Sequence, residues 1–149
     1  MEMGSVDRLF IDTNILIYAS VKESPFHTIA IEKIESLMKG DIELWINFQV
    51  LREYIAVLSQ PNIWSQPILH SELIQDILFF RNHFTVAEEN TIVFDNIIYI
   101  IKRYNIQGKK IYDSNIVATM ITQNIPNLLT HNTKDFLKFS DLITIIPLI

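Results

Sequence analysis

A three-layer α/β/α sandwich around a central, mainly parallel sheet is the fold this sequence predicts, and three observations lead there. Short apolar runs of about four residues alternate along the chain with longer stretches of helical spacing. These runs read as strands covered on both faces, as parallel sheets require. The 149 residues are 49% hydrophobic and 19% charged, with three Gly and five Pro. Such a composition describes one globular domain over residues 1–149, undivided by any linker, repeat or low-complexity segment.

Residues 1–6 carry little pattern. Leu9-Phe10-Ile11 reads as a buried strand stopped by Asp12, and residues 15–20 continue as a short helix or turn. Ser24 and Pro25 are expected to open the next helix as cap and first helical residue, and Ala30, Ile34, Leu37 and Met38 keep one face apolar as far as Gly40. Residues 43–46 are strand-like. Asn47 can then cap an apolar helix over 48–59 that Pro61 ends, and Gln66-Pro67 is expected to open a further helix through Leu69, Leu73, Ile77 and Phe80. A small strand is expected at 85–87. Ile92, Ile97, Ile98 and Ile101 define a helix over 91–104, Gly108 falls in a turn, and another helix covers about 112–123. A strand at 127–130, a short helix at 133–139 and a last strand at 142–146 complete the chain.

The absence of Cys excludes thiol catalysis, iron–sulfur ligation and thiolate zinc sites. A formal charge of -5 and a pI near 5.3 argue against holding nucleic acid by bulk positive field. They do not exclude a nucleic-acid enzyme, because bound divalent ions can present positive charge locally. No stretch is long and apolar enough for a membrane span or a signal peptide, so a soluble cytoplasmic protein with no membrane partner is expected.

In open parallel sheets the ligand site lies at the carboxyl ends of the strands. Asp12 falls there, either as a functional acid or as a turn former and cap for the segment after it. Glu53 sits among Val50, Leu51, Tyr54, Ile55 and Val57, so at least partial burial is expected, and a buried carboxylate must be paired, protonated or bound to a cation. Arg52 points elsewhere on a helix, which leaves a distant Lys or Arg as the structural alternative. Asp113 belongs to the first turn of a helix, where an acid also complements the dipole. Asp135 lies just past a strand in Thr130-His131-Asn132-Thr133-Lys134-Asp135-Phe136, and it too can serve the first turn of a short helix with Thr133 as cap. Each acid alone says little. Together they converge on one sheet edge, where like charges repel unless protons or cations intervene. All-oxygen ligands of this kind suit Mg²⁺ or Mn²⁺, and paired ions of that type activate water and stabilise a leaving oxygen in phosphodiester cleavage.

Four segments resemble those of the PIN domain, the metal-dependent ribonuclease fold of VapC-type toxins in bacterial and archaeal toxin–antitoxin pairs. They are Leu9-Phe10-Ile11-Asp12-Thr13-Asn14-Ile15-Leu16-Ile17-Tyr18, Gln49-Val50-Leu51-Arg52-Glu53-Tyr54, Ile111-Tyr112-Asp113-Ser114-Asn115-Ile116-Val117-Ala118 and Leu129-Thr130-His131-Asn132-Thr133-Lys134-Asp135-Phe136. Their order and spacing cover the chain from Leu9 to Pro147. The resemblance implies a PIN-like fold with Asp12, Glu53, Asp113 and Asp135 as catalytic, metal-binding acids and with Asn14, Thr130 and Asn132 orienting them. It further implies an Mg²⁺- or Mn²⁺-dependent endoribonuclease leaving 5′-phosphate and 3′-hydroxyl ends. An RNA substrate, a cognate antitoxin protein and a homodimer are the implied partners. Ser114 stands where many relatives have Ala.

Lys102, Arg103, Lys109 and Lys110 precede Asp113 and are candidates for substrate phosphates, or else a solvated helix end and loop. The four His show no metal-ligand spacing, and only His131 falls near the acids. The helix over 24–40 and the 66–84 region are apolar enough for a partner surface, although core packing explains them equally. A haloacid-dehalogenase-like phosphatase would need an acid where Asn14 stands, and a response-regulator receiver has different helix content. The remaining alternative is a catalytically inactive PIN-like module that binds RNA or protein.

Overall fold

Phe10 and Ile11 are wholly buried and Leu9 nearly so, in the central strand Arg8–Ile11 (β1) of a five-stranded sheet. The structure, a computed structural model, describes residues 7–149, and the weakly patterned residues 1–6 lie outside the described residues. The other strands are Glu43–Asn47 (β2), Thr85–Ala87 (β3), Asn127–Thr130 (β4) and Thr144–Pro147 (β5). They stand in the order β3-β2-β1-β4-β5 with every pairing parallel. Phe10 is opposite Trp45 on one side and Leu128 on the other, so the middle of the sheet is apolar across three strands. Full burial of each large side chain there contributes about 1.5–3 kcal/mol.

The helices are Thr13–Ser20 (α1), His27–Lys39 (α2), Phe48–Leu58 (α3), His70–His83 (α4), Thr91–Tyr104 (α5), Lys110–Gln123 (α6) and Thr133–Phe136 (α7). A single 3₁₀ turn, Leu137–Phe139, comes after α7. From β1 the chain steps through β2 to β3 in one direction, then crosses back to β4 and β5 beyond β1. Right-handed crossovers therefore put α1 to α4 on one face of the sheet and α5 to α7 on the other. The packing agrees with that division: α1 meets α2 and α3, α3 meets α4, and α5 pairs with α6, which touches α7. Reversal of direction falls between β1 and β4, which opens a crevice at their carboxyl ends. Among the described residues no helix is long and apolar enough to cross a membrane.

Local chemistry sets most boundaries. Asn47 and Asn90 accept the Val50 and Val93 N–H groups at 2.9 and 3.0 Å, capping α3 and α5. Asn105 and Asn124 take the left-handed conformation that closes α5 and α6. Several boundaries differ from those the sequence predicts: α1 starts at Thr13, two residues early, and the helix expected over 133–139 divides into α7 and the 3₁₀ turn. Ser24-Pro25 forms a turn in which Ser24 Oγ accepts the Phe26 N–H at 3.1 Å, and α2 starts only at His27. Phe26 stays outside the helix because its ring packs on Tyr18 and His131. Gln66-Pro67 lies in the irregular 61–69 segment, whose Trp64 and Ile68 share a cleft with Ser20 and Val21, and α4 starts at His70. The helix expected from Tyr112 starts at Lys110. β5 starts at Thr144 because the N–H groups of Leu142 and Ile143 are taken by Phe139 O at 2.8 and 3.0 Å.

Candidate active site

Asp12 is the first residue past β1, and its backbone N–H still bonds Leu129 O of β4 at 3.0 Å. Its side chain is also the N-cap of α1, with Oδ1 accepting the Thr13 N–H at 2.8 Å. Oδ2 accepts from Thr130 Oγ1 at 2.7 Å and from Asn14 Nδ2 at 3.2 Å. One carboxylate thus serves both as helix cap and as a wall of the site. Burial, with 7% exposure left, pushes the Asp12 carboxyl up to about 6, Glu53 adds to the rise, and the hydrogen bonds oppose it.

Glu53 lies in the second turn of α3 and faces the same crevice. Among the described residues it has no Lys or Arg partner, since Arg52 pairs with Glu89 at 2.6 Å, and the distant ion pair weighed as an alternative does not occur. Thr13 Oγ1 donates to Oε2 at 2.9 Å and Gln49 Nε2 to Oε1 at 3.0 Å. Gln49 does more than hold Glu53. Its amide also donates to Tyr112 O at 3.1 Å and accepts from Asn115 Nδ2, so one buried side chain ties α3 to α6 across the strand ends.

α6 brings Asp113 in its first turn to the opposite wall. Asp113 is half-buried, and burial first, then the charges of Asp12, Asp135 and Glu53, push its carboxyl up to about 6 against the pull of Lys110. Asp12, Glu53 and Asp113 line one cavity of about 330 Å³ together with Asn14, Gln49 and Asn132. Asp135 is not part of that lining. It is exposed on α7, close enough for its charge to act on Asp113.

The polar neighbours form a connected set. Thr130 Oγ1 donates to Asp12 while accepting from Asn14 Nδ2 at 3.3 Å and from the Asn132 N–H at 3.1 Å. Asn14 Oδ1 accepts the His131 N–H at 3.1 Å. Asn132 therefore acts on Thr130 through its backbone, while its side chain lines the cavity. It also holds the N-cap position of α7 that the sequence assigns to Thr133, without a side-chain capping bond.

Sequence reasoning missed three neighbours. Thr13 and Gln49 carried a signal: one adjoins Asp12, and the other precedes Glu53 by a helical turn on the same face. Lys138 carried none. Its ammonium is close enough to Lys110, Asp113 and Asp135 for their charges to act on it, and it is held below the ordinary lysine value by desolvation and by Lys110. Of the cations expected near substrate, Lys110 bears on Asp113, whereas Arg103 is engaged by Asp141 and Tyr99.

The cavity's acids are hard oxygen donors, and none of them forms a salt bridge with Lys or Arg among the described residues, which suits a divalent ion. Among the described residues no three Asp, Glu or His side chains stand within joint reach of one ion. At that spacing an ion would be held by one or two of the carboxylates and would keep several waters, with no all-protein cage around it.

The PIN domain family profile matches residues 9–142. Ribonuclease VapC48 of Mycobacterium tuberculosis is 26% identical over 133 residues, covering 86% of this chain and 89% of that protein. The structure of VapBC2 from Rickettsia felis bound to a DNA fragment from their promoter superposes with a TM-score of 0.68 at 18% identity, covering 94% of this chain and 98% of that one. A toxin-antitoxin complex from Klebsiella pneumoniae gives 0.67 at 16% identity, covering 95% and 98%. At such identities these two structures establish likeness of fold, and the profile match over nearly the whole described length establishes the family: the chain belongs to the PIN domain family.

Proposed function

We propose that the protein is a divalent-metal-dependent endoribonuclease, the toxin of a toxin–antitoxin pair, acting as one domain in the cytoplasm. The observation that carries this reading is the cavity walled by Asp12, Glu53 and Asp113, three carboxylates without a Lys or Arg salt bridge among the described residues. Membership of the PIN family and the similarity to a protein named Ribonuclease VapC48 support RNA as the substrate. The fold shared with a toxin-antitoxin complex supports a protein antitoxin as partner. A homodimer is the proposed assembly.

Asp12, Glu53 and Asp113 would supply the carboxylates for the ion or ions, no more than two of them to any one ion, with Asp135 at the periphery near Asp113. Thr130 and Asn14 hold the carboxylate of Asp12, and Thr13 that of Glu53, in residues that line the cavity. Mg²⁺ or Mn²⁺, when bound, supplies water activation and neutralises charge on the phosphodiester. Lys110 and Lys138 place positive charge beside Asp113, where a substrate phosphate needs it in an acidic protein.

Labelled RNA incubated with the purified chain tests this reading. Cleavage is expected with Mg²⁺ or Mn²⁺, none with chelator, and a fall of at least about 100-fold in Asp12→Asn and Glu53→Gln. Equal cutting by both folded variants and the parent overturns it.

A further inference from the structure

Three aromatic rings gather beside the acidic cavity and take no part in it. His131 directly succeeds β4, Tyr18 belongs to α1, and Phe26 comes from the turn before α2. Phe26 and His131 lie with ring centroids 4.4 Å apart, Tyr18 and Phe26 5.0 Å, and Tyr18 and His131 5.6 Å in an edge-on arrangement. Tyr18 and Phe26 rest against the core on one side, yet all three residues keep part of their surface in solvent. The cluster is fixed rather than loose. His27 Nδ1 is 2.8 Å from Tyr18 O, which fastens the entry to α2 onto α1.

The cluster is also joined to the site. The His131 N–H donates to Asn14 Oδ1, and the same Asn14 donates to Asp12. Asn132, the next residue, lines the cavity. Tyr18 stands one helical turn beyond Asn14 on the same face of α1. The aromatic cluster therefore meets the cavity lining at His131, which precedes Asn132 and bonds Asn14.

Single-stranded RNA is held on such surfaces, because an unstacked base finds in an aromatic ring a flat partner of any sequence, while its phosphates go to charged groups. We propose that Tyr18, Phe26 and His131 form a stacking shelf for the nucleobase of a nucleotide adjoining the scissile phosphate. The shelf deepens the ribonuclease reading and rests on it for the identity of the polymer. His131 is the lip of the shelf and sets how firmly one base is held; it takes no part in the chemical step.

Single-stranded RNA oligonucleotides carrying 2-aminopurine at successive positions test this when titrated with the full chain in Ca²⁺. One position is expected to lose fluorescence on binding. His131→Ala weakens binding roughly 5- to 100-fold and removes that quench, whereas His131→Phe, which keeps a ring, retains both. In cleavage with Mg²⁺ or Mn²⁺, His131→Ala raises KM and leaves kcat within a few-fold. A parent that cleaves RNA but shows no position-specific quench, or an unchanged quench in His131→Ala, overturns the shelf and leaves the ribonuclease reading standing. A parent that shows the quench, lost in His131→Ala, without cleaving overturns the ribonuclease reading and with it the place beside a scissile phosphate, and leaves the three rings as a base-binding surface. Neither quench nor cleavage overturns both.

Discussion

Thr130 and Asp12, 118 residues apart in the chain, are joined by a hydrogen bond of 2.7 Å in which the threonine hydroxyl donates to Oδ2. The bond spans the β1/β4 boundary where the sheet changes direction, so the topology itself delivers the partner that orients Asp12. Thr130→Val removes that donor and leaves the Asn132 N–H without its acceptor. Cleavage is expected to fall about 10- to 100-fold, with a stability loss of about 1–3 kcal/mol. Thr130→Ser, which keeps the hydroxyl, stays within a few-fold of the parent in RNA cleavage and near it in urea denaturation.

Gln49 supports a second prediction, because its amide serves Glu53 and α6 at once. Gln49→Leu leaves the Tyr112 carbonyl and the Asn115 amide without this partner, at a cost of about 1–3 kcal/mol. Cleavage falls at least about 10-fold as Glu53 loses one of its two donors. Thermal denaturation and single-turnover cleavage of the same preparation measure the two effects.

The apolar strands and the Asn47 cap were legible because they depend on near neighbours in sequence. Leu9-Phe10-Ile11 has no exposed face to satisfy, and Asn47 reaches an N–H only three residues on. The start of α2 was not legible. Ser24-Pro25 suits a turn as well as a helix, and the choice is made by Phe26 packing on Tyr18 and His131, the latter more than a hundred residues away. The site divides in the same way. Asp12, Glu53 and Asp113 could be found from their places in the element order, whereas the outlying position of Asp135 depends on where α7 settles against β5 and α6. Lys138 had no local mark at all.

The elevated Asp12 carboxyl gives a pH dependence with a definite sign. Its ordinary value is 3.8 and its value in the fold is about 6. Between these pH values the unfolded chain has lost a proton that the metal-free fold retains, so this group's contribution to stability falls as pH rises and levels off above about 6. The span corresponds to roughly 3 kcal/mol. Asp12→Asn cannot titrate. In urea denaturation with chelator, the stability of Asp12→Asn relative to the parent should therefore grow from pH 4 to pH 6. A difference that stays constant contradicts the assignment.

Tyr54 supplies a contrast with the site residues. It is fully buried on α3, and its hydroxyl donates to Asp76 Oδ2 and bonds Ser20 Oγ, both at 2.7 Å, joining α3 to α4 and α1. Burial, above all, holds the phenol above its ordinary range. Tyr54→Phe is expected to cost about 1–3 kcal/mol, because it takes a donor from a carboxylate. The expected kcat stays within a few-fold of the parent, measured at a temperature where both are folded.

Calorimetric titration with Mn²⁺ tests most directly whether Asp12, Glu53 and Asp113 make one cation pocket. The parent should bind, Asp12→Asn and Asp113→Asn should each bind at least about 10-fold more weakly, and Asp135→Asn should remain within a few-fold. Parent-like Mn²⁺ affinity in both Asp12→Asn and Asp113→Asn contradicts the pocket and the chemistry assigned to it.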